Sequence, residues 1–220
     1  LKSVGVNTVQ LLPIHHFVSE PFVIGSGLTN YWGYNTLGFF APHGAYSSSG
    51  TVGAQVREFK QILSELHKAG IAVVLDVVYN HLGASGNYLA EFGPYFTERH
   101  QTPWGAGLNL DGPDGGGVRA FVVDNALRWL RDFHVDALRL DAVHAIQDDS
   151  PTHILAGLSA RVTELEEGLG RPLGLVAESD LNDVTMVTPL SEGGLGMDGQ
   201  WADDVHHALH AWLTGETFGY

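Results

Sequence analysis

Val135-Asp136-Ala137-Leu138-Arg139-Leu140-Asp141-Ala142-Val143-His144 (VDALRLDAVH) is a short apolar run that closes on charged and polar residues. It follows directly on Val122, Ala126, Trp129, Leu130 and Phe133, whose three- and four-residue spacing marks one buried face of a helix. Helix followed by short apolar strand is the repeating unit of the chain. Upstream, Ile71 to Val78 (IAVVLDVV) is too short for a stable buried helix and crowded with β-branched residues, so it reads as a strand. A helix with Phe59, Ile62, Leu63 and Leu66 on its apolar face precedes it, closed by Gly70. Asn7 to Pro13 and Gly174 to Ala177 read as further strands, and Gly199 to Trp201 as a weaker one. Ser150 and Pro151 predict an N-cap and first turn for a helix that Gly170 ends. Asn182 or Asp183 caps a short helix, and a final helix holds His206, His207 and His210. About five strands alternating with five helices predict an α/β fold, with a parallel sheet buried on both faces. Residues 1–220 read as one domain with a long loop insertion at about 82–117, and with no repeat or linker.

With 11 Lys and Arg against 25 Asp and Glu, the net charge of −14 repels phosphate backbones and anionic lipid. Nucleic acid and membrane are therefore not expected partners. No apolar run approaches the roughly 20 residues of a transmembrane helix. The absence of cysteine removes disulfides and thiolate metal sites, and fits a reducing cytoplasm. Neither Leu1 nor the closing Gly-Tyr reads as a natural terminus.

Arg139 and Asp141, two apart in a strand, project to the same face at its carboxyl end. A guanidinium beside a half-buried carboxylate favours its ionised form, which attack on a sugar anomeric carbon requires; a structural ion pair would leave the same trace. Glu178 ends the next strand, so two carboxylates converge at one end of the sheet. A retaining glycosidase needs such a pair roughly 5 Å apart, one attacking and one carrying a proton. His81 closes the preceding strand as Tyr79-Asn80-His81, and Tyr31, Trp32 and Tyr34 in Asn30 to Tyr34 (NYWGY) offer aromatic faces for a sugar. Phe39, Phe40 and Trp129 read as core. The Asp111, Asp114, Asp148, Asp149, Asp203 and Asp204 set reads as solvated loop charge and helix capping.

Three of these segments carry a family resemblance: Asp76 to His81 (DVVYNH), Leu138 to His144 (LRLDAVH) and Val176 to Glu178 (VAE) resemble three successive regions of the α-amylase superfamily, in order. The resemblance implies a partial TIM (β/α)8 barrel covering about strands two to six. Asn7 to Pro13 would be strand two, the three segments would end strands three to five, and Gly199 to Trp201 would be strand six. It implies Asp141 as nucleophile and Glu178 as general acid/base. Tyr34 would stack on the sugar being cleaved, His81 would bind its hydroxyls, Arg139 would orient Asp141, and His144 would face the leaving group.

Within the superfamily, Asn109 to Pro113 (NLDGP), Leu140 to Ile146 (LDAVHAI), Ala177 to Asp183 (AESDLND) and Gln200 to His210 resemble the maltooligosyltrehalose trehalohydrolases. Residues before about Leu75, notably Asn30 to Pro42 (NYWGYNTLGFFAP), are more similar to isoamylase-type glycogen debranching enzymes. The residues around both carboxylates shape the transition state, and they favour hydrolysis of an α-1,4 bond that releases trehalose. The early segment leaves α-1,6 debranching as the alternative, and a non-catalytic carbohydrate-binding barrel as a third. An oligosaccharide or α-glucan is the expected substrate. No cofactor or metal is expected: His206 and His210 share a helix face but lack an HExxH pattern, and trehalohydrolase-like members need no calcium. Strands one, seven and eight and the family's third carboxylate have no counterpart among these residues, so the chain by itself is expected to have little activity.

Overall fold

The computed structural model describes residues 1–218. In chain order the elements are β1 (Thr8–Leu11), β2 (His15–Phe17), α1 (Pro21–Gly25), β3 (Thr36–Pro42), α2 (Ala54–Lys68), β4 (Ala72–Val77), β5 (Phe96–Thr102), β6 (Gly105–Leu108), α3 (Gly115–Asp132), β7 (Ala137–Leu140), α4 (Ile154–Leu169), β8 (Gly174–Ser179), β9 (Gly199–Ala202) and α5 (Asp203–Thr214). Strands β1, β4, β7, β8 and β9 pair in that order into one parallel sheet. The remaining strands form two antiparallel pairs, β2 with β3 and β5 with β6.

Alternation along the strands separates two faces. Val73, Leu75, Val77, Leu138, Leu140, Leu175 and Ala177 are fully buried, in one cluster with Phe59 and Leu63 of α2, Val122, Trp129 and Leu130 of α3, and Leu155 and Leu158 of α4. The other face carries Val74, Asp76, Arg139, Val176 and Glu178, and apart from Asp76 these are only partly covered. The expectation of a sheet buried on both faces therefore holds for the helix side alone. In a barrel that second face is filled by side chains of the opposite strands, and the five strands here form an arc.

Other differences from the sequence reading have local causes. Ile62 is 53% exposed although it sits at helical spacing with Phe59 and Leu63, because it faces the apolar groove beside edge strand β1 rather than the core. The segment at 82–117 is not structureless: it contains the β5–β6 hairpin and gives way to α3 already at Gly115. Ser150 does not cap α4. His153 does, its Nδ1 accepting the Leu155 N–H at 3.2 Å, because Asp148 takes the N–H groups of both Ser150 and Ile154. Gly170 closes the helix with φ +62, as expected for a left-handed C-terminal residue. Asp183 caps a single 3-10 turn, Val184–Met186.

His15 is buried in β2 with neither ring nitrogen hydrogen-bonded, edge-on to Trp129 at 4.8 Å. Burial pushes its pKa down to about 3. An unfolded chain binds a proton at this ring from about pH 6.5 downward and the folded chain does not. Stability from a neutral His15 is therefore complete above about pH 6.5 and falls by roughly 1.4 kcal/mol per pH unit toward about pH 3. The difference in unfolding free energy from urea titrations between the parent and His15→Met is expected to carry that slope between pH 7 and 4.5, on top of the opposite contributions of raised carboxyls common to both; a difference independent of pH would assign the acid sensitivity elsewhere.

Candidate active site

The carboxyl ends of β4, β7 and β8 bring four charged side chains together through strand register. Asp76 lies opposite Arg139, and Leu140 opposite Ala177, which puts Asp141 beside Glu178 on neighbouring parallel strands. Adjacent strands are about 4.8 Å apart, which suits the roughly 5–5.5 Å carboxyl separation of a retaining pair.

Arg139 is the centre of the group. Its Nη1 donates to both oxygens of Asp76 at 2.7 and 2.8 Å and to Asp141 Oδ1 at 2.9 Å, while Nη2 lies 3.1 Å from Glu178 Oε2. Burial disfavours the guanidinium charge, but Asp76, Glu178 and Asp141 outweigh it and hold the pKa above its ordinary value. Asp76 has no exposed surface, and burial raises its carboxyl to about 6 against the opposing pull of Arg139 and the Tyr34 hydroxyl. Tyr34 donates to Asp76 Oδ2 at 2.8 Å; burial, then Asp76, push its phenol upward.

Asp141 accepts from Asn80 Nδ2 at 3.0 Å on Oδ2, and the same amide reaches the Asp141 carbonyl at 2.7 Å. Both Asp141 oxygens therefore face donors. Glu178 takes the Ala142 N–H at 2.6 Å, a contact made possible by the left-handed turn at Ala142 (φ +41) that ends β7. Burial raises the Glu178 pKa; the Ala142 N–H and Arg139 pull it back, and Asp141 and Asp203 add to the rise. His81 is buried with Nδ1 2.5 Å from Asn80 Oδ1, and its ring stacks on Trp104 at 4.6 Å with 14° between planes. Burial lowers its pKa, against Asp141 and the Tyr34 backbone.

Of the residues singled out from sequence, Tyr34, His81, Arg139, Asp141 and Glu178 meet in one cluster. His144 stands further out, on the 3-10 turn Val143–Ala145, with Nδ1 3.7 Å from Asp180. Tyr31 and Trp32 are exposed and stack on each other at 5.2 Å. Asp76, Asn80 and Trp104 were given no role by sequence. For Asp76 the signal was available: it lies near the carboxyl end of a strand that neighbours the Arg139 strand. Trp104 sits at a hairpin tip far from His81 in sequence, and no local pattern announces that contact.

Two acidic residues also depart from the solvated reading. The Asp111 side chain is 2% exposed and bonded to His100 Nε2 at 2.7 Å, and Asp148 is fully buried against Arg119 at 2.5 Å. His100, Asp111 and Asp149 place three ligand-type atoms within 4.8 Å of one another, but the guanidinium of Arg99 pairs with both carboxylates and supplies the positive charge there.

No family model matches the chain. Malto-oligosyltrehalose trehalohydrolase of Arthrobacter ramosus is 47% identical over 220 residues, covering all of this chain and 36% of that protein. The likeness to trehalohydrolases thus extends through the early residues as well as the later ones. A glycogen operon protein GlgX homolog from Mycobacterium bovis is 39% identical over 160 residues, 64% of this chain and 21% of its own length. Among solved structures, a provisionally assigned alpha amylase from Salmonella typhimurium superposes with TM-score 0.81 at 33% identity, over 99% of this chain and 34% of that one. Pullulanase of Anoxybacillus sp. LM18-11, complexed with maltotetraose, gives 0.65 at 26% identity over 80% of this chain and 26% of its own. The chain spans about a third of the length of the curated relatives it matches. Its fold is a partial (β/α)8 barrel like that of the alpha amylase and pullulanase structures, and its resemblance to the malto-oligosyltrehalose trehalohydrolases runs from end to end.

Proposed function

We propose that residues 1–220 form the central part of a catalytic barrel that hydrolyses the α-1,4 bond next to a terminal trehalose unit of a malto-oligosaccharide. The observation that carries this reading is the Asp141–Arg139–Glu178 constellation at the carboxyl ends of β7 and β8, in a chain 47% identical to a trehalohydrolase throughout. Asp141, held by Arg139 and Asn80, attacks the anomeric carbon. Glu178, whose pKa burial raises, delivers its proton to the leaving oxygen. The bond from anomeric carbon to bridging oxygen breaks as the bond to Asp141 forms. Glu178 then removes a proton from water, which displaces Asp141 and regenerates both groups. His81, kept neutral by its surroundings, offers a buried ring nitrogen to sugar hydroxyls; Tyr34, fixed by Asp76, offers its ring face, and His144 lies toward the leaving group. No step calls for a metal or cofactor. The absence of cysteine supports a cytoplasmic setting, and no helix among the described residues is long and apolar enough to cross a membrane.

The GlgX-type similarity favours a second reading, cleavage of α-1,6 branch points across the same two carboxylates. The test uses a complete barrel in which these 220 residues replace the matching segment of the Arthrobacter ramosus relative. Trehalose release from maltooligosyltrehalose, without linear chains from a branched glucan, is the expected result. Linear chains alone would transfer the assignment to debranching, and glucan binding without either product would leave a carbohydrate-binding barrel.

A further inference from the structure

We propose that Arg99 is a positioning residue: it latches the β5–β6 hairpin to the loop after β7 and so holds Trp104 over His81. The pairing of β5 with β6 runs Phe96 with Leu108 and Thr97 with Gly107, then jumps to Gln101 with Ala106 and Thr102 with Gly105. Glu98, Arg99 and His100 are thus extra residues on one strand, a bulge that re-aims their side chains. The close approach of the strands around it favours a glycine opposite, since a Cβ at Gly107 would lie 3.0 Å from the His100 Cβ and 3.1 Å from its carbonyl oxygen.

The re-aimed side chains converge on one anchor. His100 Nε2 lies 2.7 Å and Arg99 Nη1 3.5 Å from Asp111 Oδ2, and the Asp149 N–H donates to that same oxygen at 3.0 Å. The second arm of the Arg99 fork reaches Asp149 itself. Gln147, two residues earlier, donates to the Gln101 carbonyl at 3.2 Å. The receiving loop is rigid, because Asp148 is buried between Arg119 and the N–H groups of Ser150 and Ile154. At the other end of the hairpin, Thr102 Oγ1 accepts the Trp104 N–H at 3.2 Å and donates to the Gly105 carbonyl at 2.9 Å, so the tip moves with β5 as one piece. A planar fork bridging two carboxylates fixes orientation as well as distance, which a point charge does not. The ring it orients stacks on a histidine inside the carboxylate cluster.

The consequence for turnover rests on the proposed function; the latch itself is read without it. In the complete barrel carrying histidine labelled at Cε1, the His81 ring proton is expected to resonate upfield under the Trp104 face. Arg99→Ala and Asp149→Asn should each move it toward its free position, with Arg99→Lys intermediate and the surface pair variant Arg161→Ala without effect. KM for maltooligosyltrehalose should rise roughly fivefold in the first two variants with kcat within about twofold, the loss expected for a largely exposed ion pair acting on binding. An unmoved His81 resonance in both variants overturns the latch. A moved resonance in a barrel whose parent cleaves no glucan upholds the latch and removes the functional reading instead.

Discussion

Asp141→Asn, in the complete barrel, is expected to lower kcat by on the order of 10⁴-fold while glucan affinity stays within a few-fold. The amide is nearly isosteric with the carboxylate, so the fold cost is small, but it cannot form the ester to the anomeric carbon. Arg139 would also face one acceptor fewer in charge, and Asn80 would meet a group that both donates and accepts. On the proposed reading, binding is carried by other residues, His81 and Tyr34 among them, so the loss should fall on turnover. Single-turnover kinetics with a substrate bearing a good leaving group separates the roles. If Asp141 is the nucleophile, Asp141→Asn stays slow even when no proton is needed at the leaving oxygen, whereas Glu178→Gln recovers its first step. Recovery in the Asp141 variant instead would exchange the two assignments.

How far this site was legible before its geometry follows from which contacts are local. Arg139 and Asp141 share a face by strand alternation alone. Glu178 joins them once β7 and β8 are read as neighbours, and a helix-linked pair of parallel strands makes that reading economical. The helix cores at Phe59, Leu63, Trp129 and Leu130 follow from helical periodicity, and the sheet order is the one that the superfamily resemblance implies. What sequence did not carry were contacts that depend on loop path: the Ala142 N–H turned toward Glu178 by a left-handed residue, and Trp104 brought back over His81 by a bulged hairpin. Ile62 and Ser150 failed for another reason. Each satisfies a helix rule, but an exposed groove and the competing acceptor Asp148 decided their surroundings.

Arg139→Met is expected to be the most destabilising single change in the site, by about 3–5 kcal/mol near pH 8, the range seen when one partner of a buried ion pair is removed. One guanidinium neutralises contacts with Asp76, Asp141 and Glu178, and Asp76 has no access to water. Without Arg139, Asp76 keeps a single neutral donor, Tyr34, and faces Asp141 with no cation between them. The penalty must depend on pH, and its direction follows from the carboxyls. Burial already raises Asp76 to about 6 and lifts Glu178, and losing Arg139 lifts both further above their unfolded values. The folded variant then binds more protons than the unfolded chain as pH falls through those raised values, so it regains stability relative to the parent. Urea midpoints of parent and variant should converge between pH 8 and pH 5. A gap that stays constant over that range would mean Arg139 contributes packing rather than charge. A gap below about 1 kcal/mol at pH 8 would place the pair with ordinary surface bridges.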